Sequence, residues 1–187
     1  MKATVPPYKF FTPVRVRFNE TDLQGHTNFG HYFFYFDIGV MDYLKAIGYS
    51  YQQMGADGVD MLYLESQARY LSPSYFDETL NIHTRIGRIG NSSMRFEFQT
   101  SAATDGRAAA EGHIDVVTIE RSTRRKIGVP DRLREAVAKY EDDDVSNSYV
   151  MTGVIDAKTL EASPVHPHHV LRSIADPEGL LRENQEA

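Results

Sequence analysis

No cysteine occurs anywhere in the 187 residues. That absence removes disulfides, a thiol nucleophile and cysteine-ligated metals at once. No apolar run approaches the ~20 residues a membrane-spanning helix needs, and Met1 to Pro7 lacks the apolar core of a signal peptide. A cytoplasmic protein with no membrane partner is the expectation. There is no Gly-x-Gly-x-x-Gly after a strand and no Gly-Lys-Ser phosphate loop, so the common nucleotide-binding signatures are missing. No internal repeat is found either.

Charge of one sign is scarce where it would matter. The net charge is −6, yet residues 141–187 hold ten acids against three bases. The remainder, with 16 acids and 17 bases, is close to neutral. That part has no basic field for nucleic acid and no acidic one that would repel anionic substrates. The chain therefore divides into a domain over 1–140 and an acidic C-terminal extension over 141–187. Hydrophobic residues make up 41% and charged residues 25%, an ordinary globular balance.

What is present is organised around Phe18-Asn19-Glu20-Thr21-Asp22-Leu23-Gln24-Gly25-His26-Thr27-Asn28. Before it, Val14, Val16 and Phe18 alternate with Arg15 and Arg17, the period of a half-buried strand. After it, Phe29, Phe33, Phe36, Val40, Leu44 and Ile47 recur at steps of three and four, which predicts a helix over 28–47. Tyr32, Phe34, Tyr35, Ile38, Met41 and Tyr43 widen its apolar surface, so this helix belongs in the interior. Gly48 stands where a left-handed cap would end it. The loop thus delivers a carboxylate, amides and an imidazole to a helix N-terminus. Free N–H groups and the positive end of the helix dipole gather there. A carboxylate facing such donors is a workable catalytic arrangement, the donors holding a developing oxyanion.

Strand signals follow. Residues 61–71, 78–89, 93–103 and 107–120 alternate apolar and polar positions, and Asp105-Gly106 marks a hairpin. Val129-Pro130-Asp131 opens a last helix with Leu133, Val137 and Tyr140 on one side. One long helix followed by antiparallel strands is an α+β plan. In the extension, residues 149–155 could add a strand.

Arg15-Val16-Arg17-Phe18, Glu20-Thr21-Asp22, Gly25-His26 and Asn28, then an aromatic helix, resemble the 4-hydroxybenzoyl-CoA thioesterase family of hotdog-fold proteins. The likeness continues through Arg69-Tyr70-Leu71-Ser72-Pro73 and Tyr75-Phe76-Asp77-Glu78, covering roughly residues 9–140. It implies a hotdog fold, an antiparallel sheet wrapped around a central helix. It further implies an acyl-CoA thioesterase with Asp22 as catalytic carboxylate and the Phe29 N–H polarising the thioester carbonyl. The substrate would be an acyl-CoA or an acyl-carrier-protein thioester. Coenzyme A enters only as part of that substrate, with no metal or redox cofactor. Hotdogs pair edge to edge, so a homodimer or homotetramer is expected.

Each residue has a plainer role to set against this. Asp22 could simply cap the helix; as a catalyst it could attack the thioester or activate water. His26 could act as base or only brace the turn. Asp22-Leu23-Gln24-Gly25-His26 also resembles the Asp-x-Asn-x-His run of plant acyl-carrier-protein thioesterases, with Gln24 in place of asparagine. Asn28 is expected to cap the helix or orient water. Most helix aromatics are core residues, and Phe33 is the candidate to line an acyl pocket. Arg88, with Arg121, Arg124, Arg125 and Lys126, offers cations for coenzyme A phosphates. His31 and His83 have no recognisable ligand spacing, and the loose group His166, His168 and His169 reads as a plain loop, with a metal site as the alternative. Two rivals remain: a hotdog acyl-thioester dehydratase or hydratase, and a non-catalytic acyl-ligand binder.

Overall fold

The computed structural model describes residues 8–141. The extension, including the strand expected at 149–155 and the three histidines at 166, 168 and 169, lies outside the described residues. Five strands form one antiparallel sheet: β1 Phe11–Arg15, β2 Val59–Tyr70, β3 Thr79–Ile89, β4 Ser93–Ala102 and β5 Ala108–Glu120. Their spatial order is β1-β3-β4-β5-β2, every neighbouring pair antiparallel. Three helices accompany them: α1 His31–Ala46, α2 Tyr51–Ala56 and α3 Asp131–Glu141. This is the hotdog arrangement, and all four long strands lie where the alternation predicts them.

The alternation works because one face of the sheet must be covered. Leu80, Ile82 and Ile86 of β3, Met94, Phe96 and Phe98 of β4, and Ile114 and Val116 of β5 are all buried. Against them α1 lays Phe36, Val40, Tyr43 and Leu44, each fully enclosed. Phe36 stacks on Phe98 with ring centroids 4.4 Å apart. The approach is close because Gly39 faces β3. A Cβ there would sit 2.5 Å from Thr84 Oγ1 and 3.2 Å from Ile82 Cγ2. The helix ends as its sequence predicts, with Gly48 at φ 82° and its N–H on the Lys45 carbonyl. Leu133 and Val137 of α3 join the same core. None of the described helices is long and apolar enough to cross a membrane.

Two boundaries differ from expectation, for one reason. β1 stops at Arg15, and Phe18–Glu20 forms a single 3₁₀ turn. Phe18 is therefore not a strand residue at all and is 77% exposed. Likewise α1 begins at His31 rather than Asn28, leaving Phe29 in the preceding turn and two-thirds exposed. Apolar periodicity reports which side chains suit burial, not which backbone groups find partners. Here the polar loop takes up the backbone at both of its ends. The outer half of β2 is also exposed, from Glu65 to Gln67 and at Arg69 and Tyr70. It is an edge strand with a bulge between Tyr63 and Glu65.

Candidate active site

After β1 the chain is pinned to the start of β3, Val16 N–H donating to Glu78 O at 2.9 Å and Asp77 N–H to Val16 O at 3.0 Å. The 3₁₀ turn follows, and then a closed loop. Asp22 N–H donates to His26 O at 3.0 Å and Gly25 N–H to Asp22 O at 3.0 Å. Thr21 and Thr27 face each other across the loop neck as an isolated bridge. Asp22 Oδ1 accepts the Gln24 N–H at 2.8 Å, a local Asx turn. Asp22 therefore shapes its own loop and does not cap α1. Its Oδ2 has no hydrogen-bond partner among the described residues.

Asn28 closes the turn ahead of α1, whose N-cap is Gly30 with no side-chain cap. Its Oδ1 accepts the Gly30 N–H at 2.9 Å, and its main-chain carbonyl accepts the His31 N–H at 3.0 Å. The Phe29 N–H between them has no acceptor among the described residues. That donor stands at the positive end of a sixteen-residue helix. Tyr70 on β2 reaches across to donate to Phe29 O at 3.1 Å, tying the edge strand to this turn.

These groups border one cavity of about 410 Å³. Asp22, Gln24, His26 and Thr27 supply its polar side; Phe29, Tyr32, Tyr70, Leu71 and Pro73 supply its apolar walls. His26 Nδ1 lies 3.9 Å from Asp22 Oδ2, with both side chains about a third exposed. That is beyond hydrogen-bond reach and close enough to interact when the imidazole is charged. Beneath the cavity runs a chain of buried hydroxyls. Tyr32 OH and Ser74 Oγ are 2.8 Å apart, Ser74 Oγ donates to Thr27 Oγ1 at 2.7 Å, and Thr27 Oγ1 donates to Ser74 O at 3.2 Å. Burial raises the Tyr32 phenol above its ordinary value, so it stays a neutral hydroxyl. Across the cavity, residues 71–74 are fixed by Arg107. Its guanidinium donates to Ser72 Oγ at 2.9 Å and also to the Pro73 carbonyl and the Glu78 carboxylate.

Of the residues singled out by the sequence, Asp22, His26 and Phe29 meet at this cavity, and Asn28 frames it. Phe33 does not line it; it packs edge-on against Phe36 at 6.3 Å on the core side. Arg88 sits at the far end of β3, paired in register with Arg95, while the cavity lies at the end where β3 begins. Arg121 to Lys126 share that far end, Arg124 bridging to Asp60 near the start of β2. His31 rests on Phe34, and His83 contacts Tyr8 and Phe11 on the sheet's other face. Among the described residues one trio, Glu65, His113 and Asp115, could hold a metal. It too lies on that other face, and both Asp115 oxygens accept from Arg95. Sequence reasoning missed Tyr32, Tyr70, Leu71 and the Thr27–Ser74 pair as site residues. The available signal was the strand-ending run Tyr70-Leu71-Ser72-Pro73.

Comparison with known proteins agrees with this fold. A relative described as a putative esterase, from Aquifex aeolicus, is 27% identical over 84 residues, covering 45% of this chain and 66% of its own length. The crystal structure of the PA5185 protein of Pseudomonas aeruginosa superposes with a TM-score of 0.64 at 29% identity, covering 76% of this chain and 95% of that one. A DHNA-CoA thioesterase from Staphylococcus aureus has the same fold, with a TM-score of 0.65 at 21% identity over 71% of this chain and 90% of its own. Residues 16–137 match the thioesterase-like superfamily, a span that runs from the base of the loop through α3. The chain belongs to the thioesterase-like superfamily of thioester hydrolases.

Proposed function

We propose that this protein hydrolyses acyl-CoA thioesters to a carboxylic acid and free coenzyme A, using Asp22. One observation carries the reading: Asp22, with a carboxylate oxygen that accepts no hydrogen bond, and Phe29, whose N–H has no acceptor among the described residues, line the same aromatic-walled cavity. In one route Asp22 Oδ2 attacks the thioester carbon, the thiolate leaves, and water hydrolyses the resulting anhydride. In the other Asp22 takes a proton from the water that attacks. Either way negative charge develops on the carbonyl oxygen, and the Phe29 N–H is the donor for it. A thiolate is a good leaving group, so no strong acid is required, and neither route involves a metal or redox group. His26 stands 3.9 Å from Asp22; Asn28 keeps the turn in shape.

The assembly proposed is a homodimer, or a tetramer built from two. β2 leaves one edge of the sheet open, and Phe34, Ile38, Tyr63 and Tyr70 are exposed beside it. Two β2 strands paired antiparallel would bring the start of one beside the end of the other. The partner's Arg124 would then approach this chain's Tyr70 and Leu71. That arrangement supplies the cation for coenzyme A phosphates which Arg88 and Arg124 do not supply within one chain. An acyl-carrier-protein thioester would present the same reacting group. A cysteine-free chain suits a reducing compartment, and the cytoplasm is the location we propose.

The test is a panel of aromatic and straight-chain acyl-CoA and acyl-carrier-protein thioesters, with released thiol measured on purified protein. At least one should be turned over with kcat/KM above about 10⁴ M⁻¹s⁻¹. Thiol release from none would refute the reading, and light scattering showing only monomer would refute the dimer.

A further inference from the structure

Two residues before Asp22 stands a second carboxylate with the opposite surroundings. Glu20 is 8% exposed. Its Oε2 accepts the Arg17 N–H at 2.8 Å and the Tyr35 hydroxyl at 2.7 Å. Its main-chain carbonyl accepts the Asn28 N–H at 2.9 Å. Arg17 ends the segment after β1, Tyr35 lies one turn inside α1, and Asn28 closes the loop. One residue therefore joins the three pieces of chain that meet at the cavity.

The consequence is geometric. The loop 21–27 leaves from Glu20 and returns to it, because Asn28 is held on the Glu20 carbonyl. Asp22 is two residues along the outgoing arm. Phe29 follows the residue that closes the return, so the plane of its neighbouring peptide is set by the same anchor. Tyr35 is 1% exposed, and both its burial and the Glu20 carboxylate push its phenol well above the ordinary range. It therefore remains a donor to Glu20 as pH rises. A buried carboxylate with two donors is satisfied, and Glu20 does not line the cavity. We infer that Glu20, latched to Tyr35, is a positioning residue that sets the separation between the Asp22 carboxylate and the Phe29 N–H. The inference rests on the proposed thioesterase reading.

Catalysis is sensitive to such a separation, since ångström-scale misplacement costs on the order of 10²-fold. Binding should depend on it less, because the apolar walls of the cavity come largely from Tyr32, Tyr70, Leu71 and Pro73. The experiment compares Glu20→Ala, Glu20→Gln, Tyr35→Phe and Asp22→Asn with the parent protein. The probe is the acyl-CoA hydrolysed fastest in the panel, and kcat and KM are measured well below each variant's Tm. A control deletes the same chemistry elsewhere: Tyr49→Phe removes a buried hydroxyl that donates to Asp57 at 2.8 Å, far from the cavity. Tyr35→Phe should lower kcat about 10-fold and Glu20→Ala more, with KM within about 2-fold. Glu20→Gln, which keeps an acceptor for Tyr35, should recover part of the loss, and Tyr49→Phe should leave kcat unchanged. Amide exchange at Asn28 should quicken in Tyr35→Phe. If Glu20→Ala does not fold, Tyr35→Phe still decides the matter. Full kcat in Tyr35→Phe, with Asp22→Asn inactive, would overturn the inference alone. Full activity in Asp22→Asn would overturn the assignment of Asp22, and thiol release from no thioester of the panel would overturn the thioesterase reading instead.

Discussion

The two walls of the cavity are built from similar material and held in different states. The wall formed by residues 18–29 ends in Asp22 Oδ2 and the Phe29 N–H, both without a hydrogen-bond partner among the described residues. The wall formed by residues 71–78 has its polar groups engaged. Ser72 Oγ donates to Ala108 O at 2.6 Å, Ser74 Oγ is matched to Thr27 and Tyr32, and Glu78 takes Arg107 and the Tyr75 N–H. Saturated groups have nothing left to offer a reacting centre, whereas unsatisfied ones do. One wall is equipped for chemistry and the other for shape. Substitutions in the first should therefore act on kcat, and those in the second on KM and selectivity.

Asp22→Asn probes that contrast with the largest expected effect. Asparagine keeps the oxygen that accepts the Gln24 N–H, so the loop and the Tm should be preserved. The loss should appear in kcat, about 10²-fold or more. On the other wall, Arg107→Met removes the clamp on Ser72, Pro73 and Glu78. It should raise KM about 10-fold while kcat stays within about 3-fold. It should also cost stability of about 1–3 kcal/mol, because the Glu78 carboxylate, 13% exposed, loses its ion-pair partner. A kcat loss in Arg107→Met with KM unchanged would erase the division between walls. Tyr70→Phe cuts the one hydrogen bond from β2 to the Phe29 carbonyl. Because that bond is partly exposed, about a 3-fold fall in kcat/KM is expected.

The smallest effect lies outside both walls. Burial lowers the His83 imidazole below its ordinary value, so the folded state prefers it neutral. The unfolded chain takes up that proton more readily. Stability from this site is therefore full above about pH 6.5 and declines as pH falls toward the lowered value. Urea midpoints at pH 7.5 and 5.5 should differ less for His83→Gln than for the parent protein, with turnover unaffected.

Much of this contrast was written in the sequence, though unevenly. The strands were legible because β3, β4 and β5 are each covered on one face, and burial imposes a two-residue period. α1 was legible as an interior helix, yet not its first residue. The apolar spacing runs on through Phe29, whose side chain is exposed and whose backbone belongs to the loop. Asp22, His26 and Phe29 were found because they lie within one short stretch. The second wall was not, since it comes from residues some fifty positions later, joined to the first through Tyr70 and Ser74. Phe33 illustrates the limit: helical spacing marks it apolar, but only packing decides between core and cavity.

In the proposed reaction Asp22 is required for chemistry and not for binding. A stoichiometric mixture of the hydrolysed acyl-CoA with Asp22→Asn, sampled by rapid quench alongside the parent protein, separates the two directly. The parent should convert the thioester within one turnover. The variant should retain it bound and intact at least about 10² times longer, with a dissociation constant near the parent's KM. Release of coenzyme A by the variant at the parent's rate would contradict the assignment of Asp22, and failure to bind the thioester would move its role from catalysis to recognition.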